Sequence, residues 1–196
     1  MTFSAYHRLV KSDLYRIAGR TDWRYFVWRL IHGEGNEGFQ YTFWMRTCQY
    51  LKSRPLPLRL LFFPLASMFL SHYRYKYGIH VPYSTRIGSG LYIGHFGGII
   101  VDNQALIGRN CNLSQSVTIG QANRGRNKGH SIIGDNVYIG PGAKIVGAVR
   151  IGNNVAIGAN CVVTHDIPEN SVVVGIPGRV ISTAGAVGYV NHTDYT

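Results

Sequence analysis

Two histidines, His95 and His130, stand where this chain could move protons. An imidazole with an unperturbed pKa of about 6.5 accepts and returns a proton near neutrality. His95 lies in the run Ile93-Gly94-His95-Phe96-Gly97-Gly98, whose glycines let another molecule approach the backbone closely. No serine or cysteine nucleophile is paired with it, so its chemistry is that of a general base, without a covalent intermediate. His130 closes an irregular, basic stretch, Gln121-Ala-Asn-Arg-Gly-Arg-Asn-Lys-Gly-His130-Ser131. A lone histidine on a regular scaffold is usually structural, but these two occupy the only two interruptions of a long repeat.

That repeat is the element that must position them. Aliphatic residues recur every sixth position at Val81, Ile87 and Ile93, again at Val101, Ile107, Leu113 and Ile119, and again from Ile133 through Ile139, Ile145, Ile151 and Ile157 to Val163. Four residues after most of them comes a small or β-branched residue, such as Thr85, Ala105, Cys111, Val117, Ala143 or Cys161. Neither a helical period of 3.6 nor a strand period of 2 gives a fixed spacing of six. The spacing predicts a hexapeptide solenoid, a parallel β-helix in which each hexad gives one short strand and one turn. Its aliphatics point into a triangular prism. Loops inserted on such a scaffold are where function concentrates.

The preceding 78 residues read as helices. Residues 3–19 form one, Thr21-Asp22 caps a second, and a third runs over 39–53 and stops before Pro55 and Pro57. The apolar run at 58–70 is shorter than the ~20 residues needed to span a bilayer. It predicts a helix buried against its neighbours or other subunits, or one lying at a membrane surface through residues 58–76 with Arg59, Arg74 and Lys76. The division is therefore a basic, aromatic helical segment at 1–78, a β-helix at 79–181 with a loop at 121–132, and a loose tail at 182–196.

The net charge is +11, and twelve Lys/Arg against four Asp/Glu fall within residues 1–78. That suggests an anionic partner, lipid headgroup or phosphate-linked substrate; no recognised motif supports nucleic acid. The three cysteines cannot build a disulfide framework, and no signal peptide is legible, so a reducing cytoplasm is expected, with contact at the inner membrane face.

The runs Arg86-Ile-Gly-Ser-Gly-Leu-Tyr-Ile-Gly-His95-Phe-Gly-Gly, Ser114-Gln-Ser-Val-Thr-Ile-Gly120, Val137-Tyr-Ile-Gly-Pro-Gly-Ala-Lys144 and Val174-Gly-Ile-Pro-Gly-Arg179 resemble the hexapeptide-repeat acyltransferases, specifically their serine acetyltransferase-like branch. The resemblance implies a left-handed β-helix, a homotrimer with sites between prisms, and acetyl-CoA as co-substrate with no metal. It implies His95 as the base and His130 as a second site residue reaching a neighbouring subunit. It implies a carrier groove at Gly140, Pro141, Gly142, Gly158 and Ala159, with Lys144 and Arg179 for phosphates. Three positions depart from serine acetyltransferase. His80 replaces the aspartate that orients the base, leaving His80 or Asp102 as candidates for that task. Gly94 and Gly129 replace charged side chains that help hold the amino acid. On those losses the sequence predicts an O-acetyltransferase acting on a sugar hydroxyl of a surface polysaccharide or its lipid-linked precursor, with serine O-acetyltransferase as the alternative. A γ-type carbonic anhydrase would need a His-x4-His pair that is absent. A non-catalytic solenoid would not need the two histidine insertions.

Overall fold

The computed structural model describes residues 1–32 and 35–195. Fifteen strands follow four helices among the described residues, and the strands stack into three sheets. The first sheet holds β1 (Ile79–His80), β4 (Ile99–Val101), β7 (Thr118–Gly120), β10 (Lys144–Val146) and β13 (Val162–Val163). The second holds β2 (Arg86–Ile87), β5 (Leu106–Ile107), β8 (Ile132–Ile133) and β11 (Arg150–Ile151). The third holds β3 (Tyr92–Ile93), β6 (Asn112–Leu113), β9 (Tyr138–Ile139), β12 (Ala156–Ile157), β14 (Val172–Val174) and β15 (Arg179–Ser182). The chain visits the sheets in rotation, and neighbouring coils pair in parallel register, for example Ile107 with Ile133 and Ile119 with Ile145. All thirteen aliphatics of the six-residue series are buried. Each contributes about 1.5–3 kcal/mol on leaving water. The chain is a left-handed β-helix preceded by helices.

The turns carry their own logic. Asn110, Asn136, Asn154, Asn160 and Asn170 all take left-handed backbone angles near +55°, which asparagine tolerates best after glycine. Two side-chain rungs, Asn110 to Asn136 at 2.9 Å and Asn154 to Asn170 at 2.7 Å, stitch consecutive coils together.

Helix α1 (Phe3–Ala18) is capped by the Thr2 hydroxyl and ends at Gly19 in the left-handed region. Asp22 caps α2 (Trp23–Ile31), and α3 (Glu37–Lys52) follows. The Gly- and Asn-containing stretch at 33–38 falls partly outside the described residues. The apolar run becomes α4 (Leu56–Tyr77), which continues through Pro64 and absorbs Tyr73-Arg-Tyr-Lys-Tyr77. Among the described residues no helix is long and apolar enough to cross a membrane. One face of α4 packs through Ala66, Leu70 and Tyr77, while Leu61, Leu65 and Met68 on the opposite face are exposed.

Helices α3 and α4 share a core with the prism, in which Tyr41, Met45, Cys48 and Leu70 are continuous with the coil aliphatics, while Val10 and Leu14 of α1 pack with Phe39 in a second cluster. Tyr41 docks α3 on the solenoid by satisfying both the carbonyl and the amide of Val81 at 2.9 Å.

The tail is not loose over its described residues. The carbonyl of Asn191 accepts from Arg16 at 2.9 Å, Tyr189 stacks on Tyr138 at 4.5 Å, and the Tyr195 hydroxyl meets Asn110. Absence of periodicity in 182–195 reflects side-chain docking onto finished coils, which needs no repeat.

Candidate active site

The rotation of the chain fixes which residues share an edge of the prism. Residues between the third and first sheets lie on what we call the front edge, and those between the first and second sheets on the back edge. His95, between β3 and β4, is on the front edge. Below it on the same edge lie Gln115-Ser116, then Gly140-Pro141-Gly142, then Gly158-Ala159. Backbone bonds run down this edge: Ser116 donates to the Gly97 carbonyl at 2.7 Å, Gly142 to Gln115 at 3.0 Å, and Asn160 to Pro141 at 2.8 Å. The excursion carrying His95 is pinned at its top, where Gly97 donates to the Tyr77 carbonyl at 2.9 Å and Phe96 lies 5.7 Å from the Tyr77 ring. His95 itself is exposed.

His130, between β7 and β8, is on the back edge, as is Asp102, which follows β4. The Asp102 carboxylate meets Nδ1 of His130 at 2.5 Å. One chain therefore separates His95 and His130 by the full first sheet. The loop that carries His130 is closed at its neck by reciprocal Ala122–Gly129 bonds of 3.1 and 2.9 Å, and Ala148 donates to the Asn127 carbonyl at 2.8 Å. Ser131, buried, donates to the Gly147 carbonyl at 2.9 Å and anchors the histidine's C-terminal side.

Neither residue expected to orient His95 is bonded to it among the described residues. Asp102 is given to His130 because both lie one coil apart on the back edge. His80 stands on the outward face of β1, opposite Ile100 of β4, and lines a cavity of about 150 Å³ with Tyr41, Ser67, Ser71 and Arg74. The two phosphate candidates also differ. The Lys144 ammonium donates to the Ser116 carbonyl at 2.5 Å and to Thr118 Oγ1 at 3.1 Å, across to the next coil. Arg179, at the start of β15, is exposed just beyond the Gly175–Gly178 turn, which is bonded to Val162 at the front edge.

Two glycines that sequence reasoning read as lost charges have different causes. Gly129 has φ of +132°, and a Cβ there would lie 3.1 Å from that of Ala148, so the loop's path demands glycine. At Gly94 a Cβ would meet only the ring edge of Tyr92, at 3.2 Å. Gln115 was quoted only as part of a motif, yet its side-chain Oε1 is buried at the front edge without a hydrogen-bond partner among the described residues. Its position in the coil phase, directly below the His95 excursion, is the signal that could have singled it out.

All three thiols are buried and free. Burial pushes Cys48 and Cys111 up to about 12 and raises Cys161 as well. A thiol so placed does not form a nucleophilic thiolate at neutral pH.

Residues 130–165 match the family model of the bacterial transferase hexapeptide (six repeats). The chain is 37% identical over 149 residues to a serine acetyltransferase of Synechococcus elongatus, covering 76% of this chain and 58% of that relative. Among solved structures it is similar to the serine acetyltransferase of Neisseria gonorrhoeae, with a TM-score of 0.71 and 30% identity over 91% of this chain and 66% of that one. A Brucella abortus serine acetyltransferase in complex with coenzyme A superposes with a TM-score of 0.74 at 26% identity, over 93% of this chain and 70% of that one. The fold and these likenesses make the chain similar to the hexapeptide-repeat transferases. Within that class, the relatives it matches are serine acetyltransferases. The chain spans a little over half the length of those curated relatives.

These matches overturn the expectation of a sugar acceptor on a surface polysaccharide. That expectation rested on two missing side chains, and a missing side chain shows what does not hold the substrate, without showing what does.

Proposed function

We propose that the protein is an acetyl-CoA-dependent serine O-acetyltransferase that works as a homotrimer. The observation that carries this reading is the front edge: His95 heads a bonded row of coil turns ending in the Gly140–Gly142 and Gly158-Ala159 segments, in a chain similar over most of its length to serine acetyltransferases. The pantetheine arm of the carrier would lie along these turns, where only Pro141 carries a sizeable side chain. Arg179 would pair with a carrier phosphate as a fork; Lys144, tied to Ser116 and Thr118, would contribute field more than contact.

In the reaction, the serine hydroxyl oxygen attacks the thioester carbonyl as His95 takes its proton. The new C–O bond forms, the C–S bond breaks, and the proton passes to the leaving thiolate to give free coenzyme A. Direct attack suits a chain whose thiols are all buried and raised by that burial. Because His130 is on the back edge, it would serve the front edge of a neighbouring copy, which is the reason for the trimer.

Coenzyme A release measured with serine, with a panel of sugars and with no acceptor tests the reading. Serine-dependent release is expected; release that serine does not stimulate would sink it.

A further inference from the structure

The Asp102 carboxylate is fixed at both oxygens. Its Oδ1 accepts from the Gln104 amide at 3.3 Å, within its own turn, and its Oδ2 faces His130 Nδ1 at 2.5 Å. Its backbone is tied to the coils on either side, the amide donating to the Ile119 carbonyl at 2.8 Å and the carbonyl accepting from Thr85 Oγ1 at 3.3 Å. The carboxylate side chain is only 11% exposed, and the His130 ring is 30% exposed. Asp102 is thus rigid and largely covered, while one side of the imidazole remains open.

An ionised carboxylate has no proton to give, so Nδ1 of His130 must carry the hydrogen of this contact. We propose that Asp102 is a positioning residue that holds His130 in the Nδ1–H form, so that His130 offers the substrate a bare Nε2 as a hydrogen-bond acceptor. A neutral ring in this form has no N–H left for an oxyanion. It also stands in front of a fixed negative charge, which disfavours an anion and favours a donor group. The group it fits is a hydroxyl or the α-ammonium of an amino acid acceptor. Of these the ammonium is preferred, because the pair carries one negative charge and Gly94 offers none. The nature of that acceptor rests on the acetyl-transfer reading above; the tautomer does not.

The test combines two readouts. In ligand-free protein labelled with ¹⁵N-histidine, the His130 resonances, assigned by their loss in His130→Gln, are expected to show the Nδ1–H form at a pH where the ring is neutral. Asp102→Asn should redistribute the two forms, and Asp102→Glu should keep the wild-type one. In kinetics, Asp102→Asn should raise KM for serine at least tenfold while lowering kcat less, with Asp102→Glu recovering part of the loss. A wild-type ring protonated at Nε2, or an Asp102→Asn variant with unchanged tautomer, overturns the proposal, as does a loss in kcat alone. A wild-type protein that transfers no acetyl group to any acceptor would defeat only the serine acetyltransferase reading, since the labelling experiment still decides what Asp102 does.

Discussion

Nε of Arg46 lies 2.9 Å from Oδ2 of Asp13, and both side chains are shut off from water. The same guanidinium donates to the carbonyls of Ile87 at 2.9 Å and Gly88 at 2.7 Å, and Asp13 accepts from the Leu91 amide at 2.8 Å. One ion pair thus ties α1 and α3 to the first coil, the coil that leads into His95. Burial pushes the Asp13 carboxyl upward, and Arg46 pulls against it. Removing one partner strands the other: Arg46→Ala should cost about 3–5 kcal/mol of stability, read from urea unfolding. A loss under about 1 kcal/mol would mean that the apolar core alone holds the helices to the prism.

His95→Ala should lower turnover by roughly 10²–10⁴-fold while coenzyme A binding stays nearly intact. The histidine is exposed at the head of the front edge and contributes nothing to the core, so thermal stability should not move. Calorimetric titration with coenzyme A beside a steady-state assay separates the two effects. Wild-type turnover in the variant would remove His95 from the role of base.

The two candidate phosphate residues should behave differently. Arg179 is exposed beside the front-edge turn, so Arg179→Ala should raise KM for acetyl-CoA about tenfold, in keeping with a charged hydrogen bond of about 1.5–3 kcal/mol. Lys144→Met breaks bonds to Ser116 and Thr118 and should lower the melting temperature more than it raises that KM. The reverse pattern would exchange their roles.

Much of this was legible in the sequence because a solenoid writes its geometry with one period. Every aliphatic of the six-residue series is inside, and so are small residues such as Ala105, Cys111 and Val155. The exception among those four positions on is Gly97, which belongs to the His95 excursion and is half-exposed. The start of the second helix at Asp22 was legible from its carboxylate cap. What was hidden depends on contacts between distant segments. Asp102 and His130 are 28 residues apart, and the irregular loop between them obscures that both leave the first sheet at the same edge. Pro64 lies within the apolar run, yet α4 passes through it to Tyr77. The tail gave no pattern because Tyr189 and Tyr195 dock singly.

Stability should fall under alkaline conditions, through buried thiols and tyrosine hydroxyls. Burial pushes the Cys48 and Cys111 thiols up to about 12, and the Tyr41 and Tyr77 hydroxyls to about 12. For an acid raised in the folded state, the folded chain holds its proton longer than the unfolded chain does. The associated stabilisation is complete below the unfolded values, near 9.0 for the thiols and 10.0 for the hydroxyls, and is lost as pH rises towards 12. Melting temperatures measured from pH 7 to 11 should therefore decline beginning near pH 9, the ordinary thiol value. A flat profile would show that these groups are reached by water.

The last prediction tests the sharing of sites directly. His95 is on the front edge and His130 on the back edge, so a site using both takes one residue from each of two copies. His95→Ala and His130→Ala proteins should each be impaired alone. Co-expressed in equal amounts and isolated as mixed trimers, they should regain activity, because some interfaces bring an intact His95 against an intact His130. With one sense of rotation about the trimer axis, about a third of the interfaces in mixed trimers are whole. Activity near that fraction of wild type supports the arrangement, provided sedimentation finds trimers in all three preparations. If the mixture is no more active than the better of its two parents, the histidines do not meet across an interface, and the trimeric, shared-site part of the mechanism fails while the front-edge assignment of His95 stands on its own kinetics.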